Sequence, residues 1–92
     1  MSYQIRHNEE RQRFETTVDG QLCVCDYRLR GDVMVLTHTG VPEPVAGRGI
    51  AAELVRTALG WAEAQGRRVD PACSYVAVYM RRHPETMKLL AT

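Results

Sequence analysis

Residues 33–51 read VMVLTHTGVPEPVAGRGIA, and this stretch decides the fold. Val33-Met34-Val35-Leu36 is an unbroken apolar run, which reads as a strand covered on both faces. Thr37 to Gly49 holds Gly40, Pro42, Pro44, Gly47 and Gly49 and reads as a loop. From Ile50 the period changes. Ile50, Leu54, Ala58, Trp61 and Gln65 lie near one line, flanked by Ala51, Val55 and Ala62, an amphipathic stripe of about four helical turns. Glu53, Arg56, Glu63 and Arg67 fall on the outer side. Gly66 is well suited to the position just past the helix C-terminus. Gly60 inside the helix costs about 1 kcal/mol relative to Ala, and its bare backbone would allow close packing on a sheet.

Upstream of this stretch the signals are strand-like. Arg13 to Val18 alternates, with Phe14, Thr16 and Val18 on one face. Asp19-Gly20 separates it from a second alternating run, Gln21 to Leu29, and Asp-Gly between two such runs is a strong hairpin signal. In that run Cys23, Cys25, Tyr27 and Leu29 share one face, and Leu22 and Val24 the other. Arg30-Gly31-Asp32 is a second turn, and Tyr3 to His7 adds a short edge strand. Downstream, Arg67 to Ala72 holds a short strand around Val69, closed by Pro71. Cys73 to His83 is a second helix with Tyr75, Val76, Tyr79 and Met80 on one side. Pro84 stops it, and Glu85 to Leu90 forms a last helical turn. The fold class is α/β (α+β): an antiparallel N-terminal meander, then a β-α-β-α unit, with helices on a mixed sheet. Its piece from Val33 to Val69 should be a right-handed parallel crossover.

The chain has 92 residues, 45% hydrophobic and 25% charged, the composition of a folded globular domain. The length fits one domain over 1–92 with one modest core. Twelve basic residues against eleven acidic ones leave a formal charge of +1, too small a field to hold nucleic acid or an anionic membrane. Lys88 is the only lysine, and Arg suits directed contacts to phosphate or carboxylate. No run approaches the roughly 20 apolar residues of a membrane span. Met1 to Arg13 is polar with no signal-peptide core, so a cytoplasmic location is expected. Cys23, Cys25 and Cys73 are an odd set without Cys-x-x-Cys spacing, which argues against a disulfide framework and a structural zinc site; no metal is expected. A monomer or weak homodimer is expected, since small domains gain stability from pairing.

Ala46-Gly47-Arg48-Gly49-Ile50-Ala51 leaves the strand region and opens a helix. Free N–H groups and the positive end of the helix dipole point at such a loop. Two glycines clear side chains from the approach of a phosphate, and Arg48 adds a charge, which makes the segment a candidate pyrophosphate cradle. The same glycines would also serve a plain turn. Neither a Walker loop nor Gly-x-Gly-x-x-Gly fits: Gly-Lys-Ser/Thr is missing and position 52 is Ala.

This segment resembles motif A of the GNAT N-acetyltransferases, Gln/Arg-x-x-Gly-x-Gly/Ala. Gly49 and Ala51 fall on its last two defined positions, while Ala46 stands where Gln or Arg is usual. His38-Thr39, Val41-Pro42, Gly47-Arg48-Gly49-Ile50-Ala51, Pro71-x-Cys73 and Tyr79-x-x-x-His83-Pro84 follow in the order of the minimal, single-domain GNAT branch, across nearly the whole chain. Gly40 departs from that branch, which usually carries an acidic residue there. The resemblance implies an acetyl-coenzyme A-dependent N-acetyltransferase with an unidentified amine acceptor. The pyrophosphate would sit on Ala46 to Ala51, and the pantetheine arm would run along Thr39, Gly40 and Val41, where the two central parallel strands splay. A coenzyme A-binding module with little catalysis is the alternative that the departures at Gly40 and Ala46 favour.

Three side chains stand out for the chemistry. Acetyl transfer needs a neutral amine, a polarised thioester carbonyl and a stabilised leaving thiolate, or a protein nucleophile that takes the acetyl group first. Cys73 lies at a predicted helix start, where partial positive charge lowers a thiol pKa. Arg67, Arg68, Arg81 and Arg82 are near it in sequence, and the GNAT branch also carries Cys there; a buried small hydrophobe is the competing reading. His38 follows the apolar strand beside the loop, as a base for the amine or a histidine bonded into the sheet edge. Tyr79 matches by position the late tyrosine that protonates the thiolate in many GNAT enzymes; a packed core tyrosine is the other reading. Cys23 and Cys25 read as core, His83 and Arg82 as helix-end residues, and His7 has no context.

Overall fold

A computed structural model describes residues 3–91. Five strands, in spatial order equal to chain order, form one sheet: β1 (Arg6–Asn8), β2 (Arg13–Val18), β3 (Gln21–Arg30), β4 (Val33–Gly40) and β5 (Arg68–Asp70). The first four are antiparallel neighbours, and β5 pairs with β4 in parallel. Helix α1 (Ile50–Ala64) makes the crossover from β4 to β5, and α2 (Ser74–Arg82) follows β5. The meander and the β-α-β-α unit are those of the sequence reading. At the β2–β3 turn Asp19 and Gly20 take φ of 50° and 75°, as a two-residue hairpin turn demands.

Every fully buried side chain of the sheet comes from one face: Phe14, Cys23, Cys25, Tyr27, Met34, Leu36 and Val69. Both helices cover that face. Ile50, Leu54, Val55, Ala58, Leu59 and Ala62 of α1 join Val76, Tyr79 and Met80 of α2 in the same core. On the other face Val24, Asp26, Val33 and Val35 are only half-buried. The Val33–Leu36 run is therefore covered on one face, not two. Its continuous apolarity marks the central position of β4, not a second helical layer.

Other expectations shift. The buried arc of α1 is centred on Ala58 and includes Leu59; Trp61 sits half-buried at its margin and Gln65 is exposed. Gly60 has open space where a Cβ would stand, so it serves no close helix–sheet packing. Leu29 is 39% exposed, because β3 runs on past the helical layer. The edge strand is Arg6–Asn8, displaced from Tyr3–His7, while Tyr3 and Ile5 pack against the core. The last helical turn is a 3-10 segment, Pro84–Leu89. Beyond it, Leu90 bridges to Val69 and the Ala91 N–H donates to the Val69 carbonyl at 2.9 Å, covering the outer edge of β5. Among the described residues, no helix is long and apolar enough to cross a membrane, and no group of three or more His, Cys, Asp or Glu could hold a metal ion.

Candidate active site

The strand that was expected to end at Leu36 continues to Gly40, and one irregularity in it organises the site. Tyr27 pairs with Leu36, but Asp26 pairs with His38, so Thr37 is an extra residue on β4. Such a bulge reverses the alternation of side chains beyond it. Thr39, opposite Cys25, therefore joins the helix-covered face. His38, opposite Asp26, joins the uncovered one.

β4 and β5 part company at the same level. Their ladder holds only from Val33–Arg68 to Val35–Asp70. Pro71 turns the chain, and one further bond, Cys73 N–H to the Leu36 carbonyl at 2.9 Å, ties the start of α2 to β4. From Thr37 to Gly40, β4 has β3 on one side and no strand on the other. The splay that the resemblance implied is therefore present, with its wedge between Cys73 and Thr39.

Cys73 stands at the N-terminus of α2, half-buried, its Sγ 3.6 Å from Thr39 Oγ1. Burial pushes its thiol pKa up, but the combined pull of the Val76 and Tyr75 backbone N–H groups and of Thr39 outweighs burial and leaves the pKa lowered. None of the four arginines near in sequence takes part. Cys25, on the same Thr39, is buried, and burial pushes its thiol up to about 12. Cys23 is likewise buried and raised. Both belong to the core, as their strand face suggested.

The loop before α1 carries a short 3-10 turn, Glu43–Val45, and then Gly47 and Gly49 at φ of 79° and 78°. Gly49 is the N-cap of α1, and no side chain caps it. The N–H groups of the first turn are thus left for water or a ligand. A cavity of about 310 Å3 opens here, lined by Val41, Ala46, Gly47, Gly49, Ile50 and Ala51, with Ala52 and Tyr75 closing it. Six of the nine residues expected to hold a cofactor meet in it. Thr39 and Gly40 lie on the adjoining strand end. The ninth, Arg48, turns aside: its Nη1 pairs with Asp19 Oδ2 at 2.8 Å, and its carbonyl accepts from Tyr3 Oη at 2.8 Å. Tyr75, 40% exposed over the loop, was read only as part of a helix side. Its i, i+4 relation to Tyr79 marked the shared helix side but not that Tyr75, unlike Tyr79, reaches the loop cavity.

Tyr79 is 8% exposed and stacks on His83, with ring centroids 3.9 Å apart. Burial raises its pKa, and Arg56 opposes that rise. His83 Nδ1 donates to the Tyr79 carbonyl at 2.8 Å, closing the end of α2. A larger cavity, about 370 Å3, lies beside this pair between α1, α2 and the 3-10 segment. Tyr79 sits six residues after Cys73, about 9 Å along the helix axis. Of the three side chains singled out for chemistry, the structure places Cys73 at the wedge, His38 on the far face of the same strand, and Tyr79 further along α2.

The family described as GCN5-related N-acetyl-transferase matches residues 13–89. The chain belongs to this family. It is an acyltransferase by that membership. The Protein NATD1 of Gallus gallus is 31% identical over 84 residues, covering 88% of this chain and 76% of the relative. The Protein NATD1 of Homo sapiens is 30% identical over 83 residues, covering 87% and 74%. The NMR solution structure of a GCN5-like protein from Staphylococcus aureus superposes with a TM-score of 0.77 at 20% identity, covering 99% of this chain and 91% of that one, and so shares the fold.

Proposed function

We propose that this GCN5-related protein is an acetyl-coenzyme A-dependent N-acetyltransferase. The observation that carries the reading is the meeting, at one parting of parallel strands, of an uncapped helix start with a thiol of lowered pKa. The residues present fit the cofactor. Uncapped N–H groups of Gly49, Ile50 and Ala51 suit a pyrophosphate. The unpaired edge of β4 at Thr39 and Gly40 suits an amide-bearing arm, as one more strand would. The bound group would supply an activated acetyl thioester.

Cys73 is placed to take that acetyl group. Its thiolate is favoured by the Thr39 hydroxyl and the first turn of α2, and the same contacts stabilise it again as it leaves when an amine attacks. Direct transfer from the thioester to the amine is the competing route. Cys73→Ser separates the two: the covalent route loses transfer, and direct transfer survives. Intact-mass analysis with acetyl-coenzyme A alone should show one added acetyl group on the wild type and none on Cys73→Ser.

The first test is thermal unfolding with acetyl-coenzyme A. At 100 times the dissociation constant a ligand adds about 2.7 kcal/mol, a rise of roughly 10 °C or more for a domain of this size. No rise would sink the reading. A rise without turnover over a broad amine panel would make the protein a coenzyme A-binding module.

A further inference from the structure

We propose that Gly40 is a positioning residue, which by lacking a side chain gives the His38 imidazole its seat on the uncovered face of the sheet, from which His38 serves as the base for the acceptor amine. This rests on the transferase reading above and extends it to the acceptor side.

The bulge at Thr37 sends Thr39 toward Cys73 and sends His38 and Gly40 to the opposite face. A Cβ built on Gly40 would stand 2.9 Å from His38 Nε2 and 3.6 Å from Val24 Cγ2. The ring therefore lies across the α-carbon of Gly40, at the unpaired end of β4 beside the wedge. Any side chain at position 40 would hold the ring off. The helices close the other face, so an acceptor reaches the wedge from the side where His38 lies exposed.

The neighbours of the ring on that face are few. Asp26 is its cross-strand partner on β3, and Arg13 of β2 pairs with Asp26, Nε to Oδ1 at 3.4 Å. On the other flank β5 has already ended, so no charged group of β5 pairs alongside. In the reaction, His38 takes a proton from the amine nitrogen as the new N–C bond forms. The C–S bond breaks, and the departing sulfur keeps its electron pair on the helix face and is protonated from solvent. Base and leaving group are thus held on opposite sides of one strand.

The test compares wild type, Gly40→Ala, His38→Ala and the double variant. The ring is the exposed end of a flexible side chain, so Gly40→Ala moves it at little cost. The melting temperature should equal or slightly exceed that of wild type, and the acetyl-coenzyme A dissociation constant should not change, because the strand edge offers the arm backbone groups, while the added Cβ points at His38 and Val24. The kcat/KM for the acceptor should fall about 10- to 100-fold, with the acidic limb of its pH profile, the limb that a base governs, displaced. In the His38→Ala background, Gly40→Ala should cost nothing more. Three results overturn the proposal: no loss of activity, a loss that adds fully to that of His38→Ala, or a loss that tracks weakened acetyl-coenzyme A binding, which would make the bare α-carbon of Gly40 a feature of the cofactor edge and not of the His38 seat. A wild type that binds acetyl-coenzyme A yet acetylates no amine sinks the transferase reading and the base role with it. In that case an NMR contact between the His38 ring and the Gly40 α-protons, lost in Gly40→Ala, still decides the seat by itself.

Discussion

Thr39 stands between two sulfurs of opposite character. Cys25 is sealed in the core and pushed up to about 12, while Cys73, 3.6 Å from the same hydroxyl, is lowered. The difference lies in burial and in the N–H groups of α2, which only Cys73 meets. In the folded protein an alkylating reagent should label Cys73 alone, at a rate that reaches its plateau below the pH required by an ordinary thiol. Thr39→Val removes one of the groups favouring the thiolate and should move that pH upward; peptide mapping of the labelled sites against pH checks both statements. Cys73 was legible as a candidate because a polar thiol at a helix start is a local feature. Its partner was not, because strict alternation along β4 puts Thr39 on the wrong face, and only the extra residue at Thr37 corrects it.

Elements read well from periodicity where the chain keeps one period, and poorly where it changes. β2, β3 and α1 lie within a residue or two of their expected bounds, since alternation, Asp-Gly and the apolar stripe are repeated signals. β4 was cut short because Thr-His-Thr-Gly carries no apolar marker, although a strand end that leaves its neighbour needs none. The two glycines of α1 separate space from backbone strain. Gly60 lies mid-helix with nothing within 4 Å of a built Cβ, so Gly60→Ala should stabilise the fold by about 0.5–1 kcal/mol, a few degrees in melting temperature. Gly49 has equally open surroundings but a φ of 78°. Gly49→Ala should therefore cost about 1–2 kcal/mol and weaken acetyl-coenzyme A binding. Thermal melts of the two single variants should move in opposite directions.

At the scale of the molecule, two layers share one core, and one aromatic cluster pins its far end. His7 stacks on Phe14 at 4.1 Å, meets Trp61 edge-on at 4.7 Å, and has Nε2 2.6 Å from Tyr27 Oη, joining β1, β2, β3 and α1. Sequence reading found no context for His7 because its partners lie up to 54 residues away. Burial lowers its pKa below the ordinary 6.5, and Glu9 only partly offsets this. The unfolded chain therefore binds the proton more readily than the folded one. The stability that His7 contributes is complete above about pH 6.5 and is lost as pH falls through that value toward the folded pKa. The melting temperature should drop between pH 7.5 and 5, and less so in His7→Phe. The bulge at Thr37 has a last consequence, and it is genetic. A strand is read in steps of two, and one added residue is its frameshift. Deleting Thr37 would cancel that frameshift, since Leu36 and Thr39 would stay inward and His38 outward in an unbroken alternation. Among descendants of this chain, loss of that single codon should therefore be tolerated by the site, with Thr39 still beside Cys73.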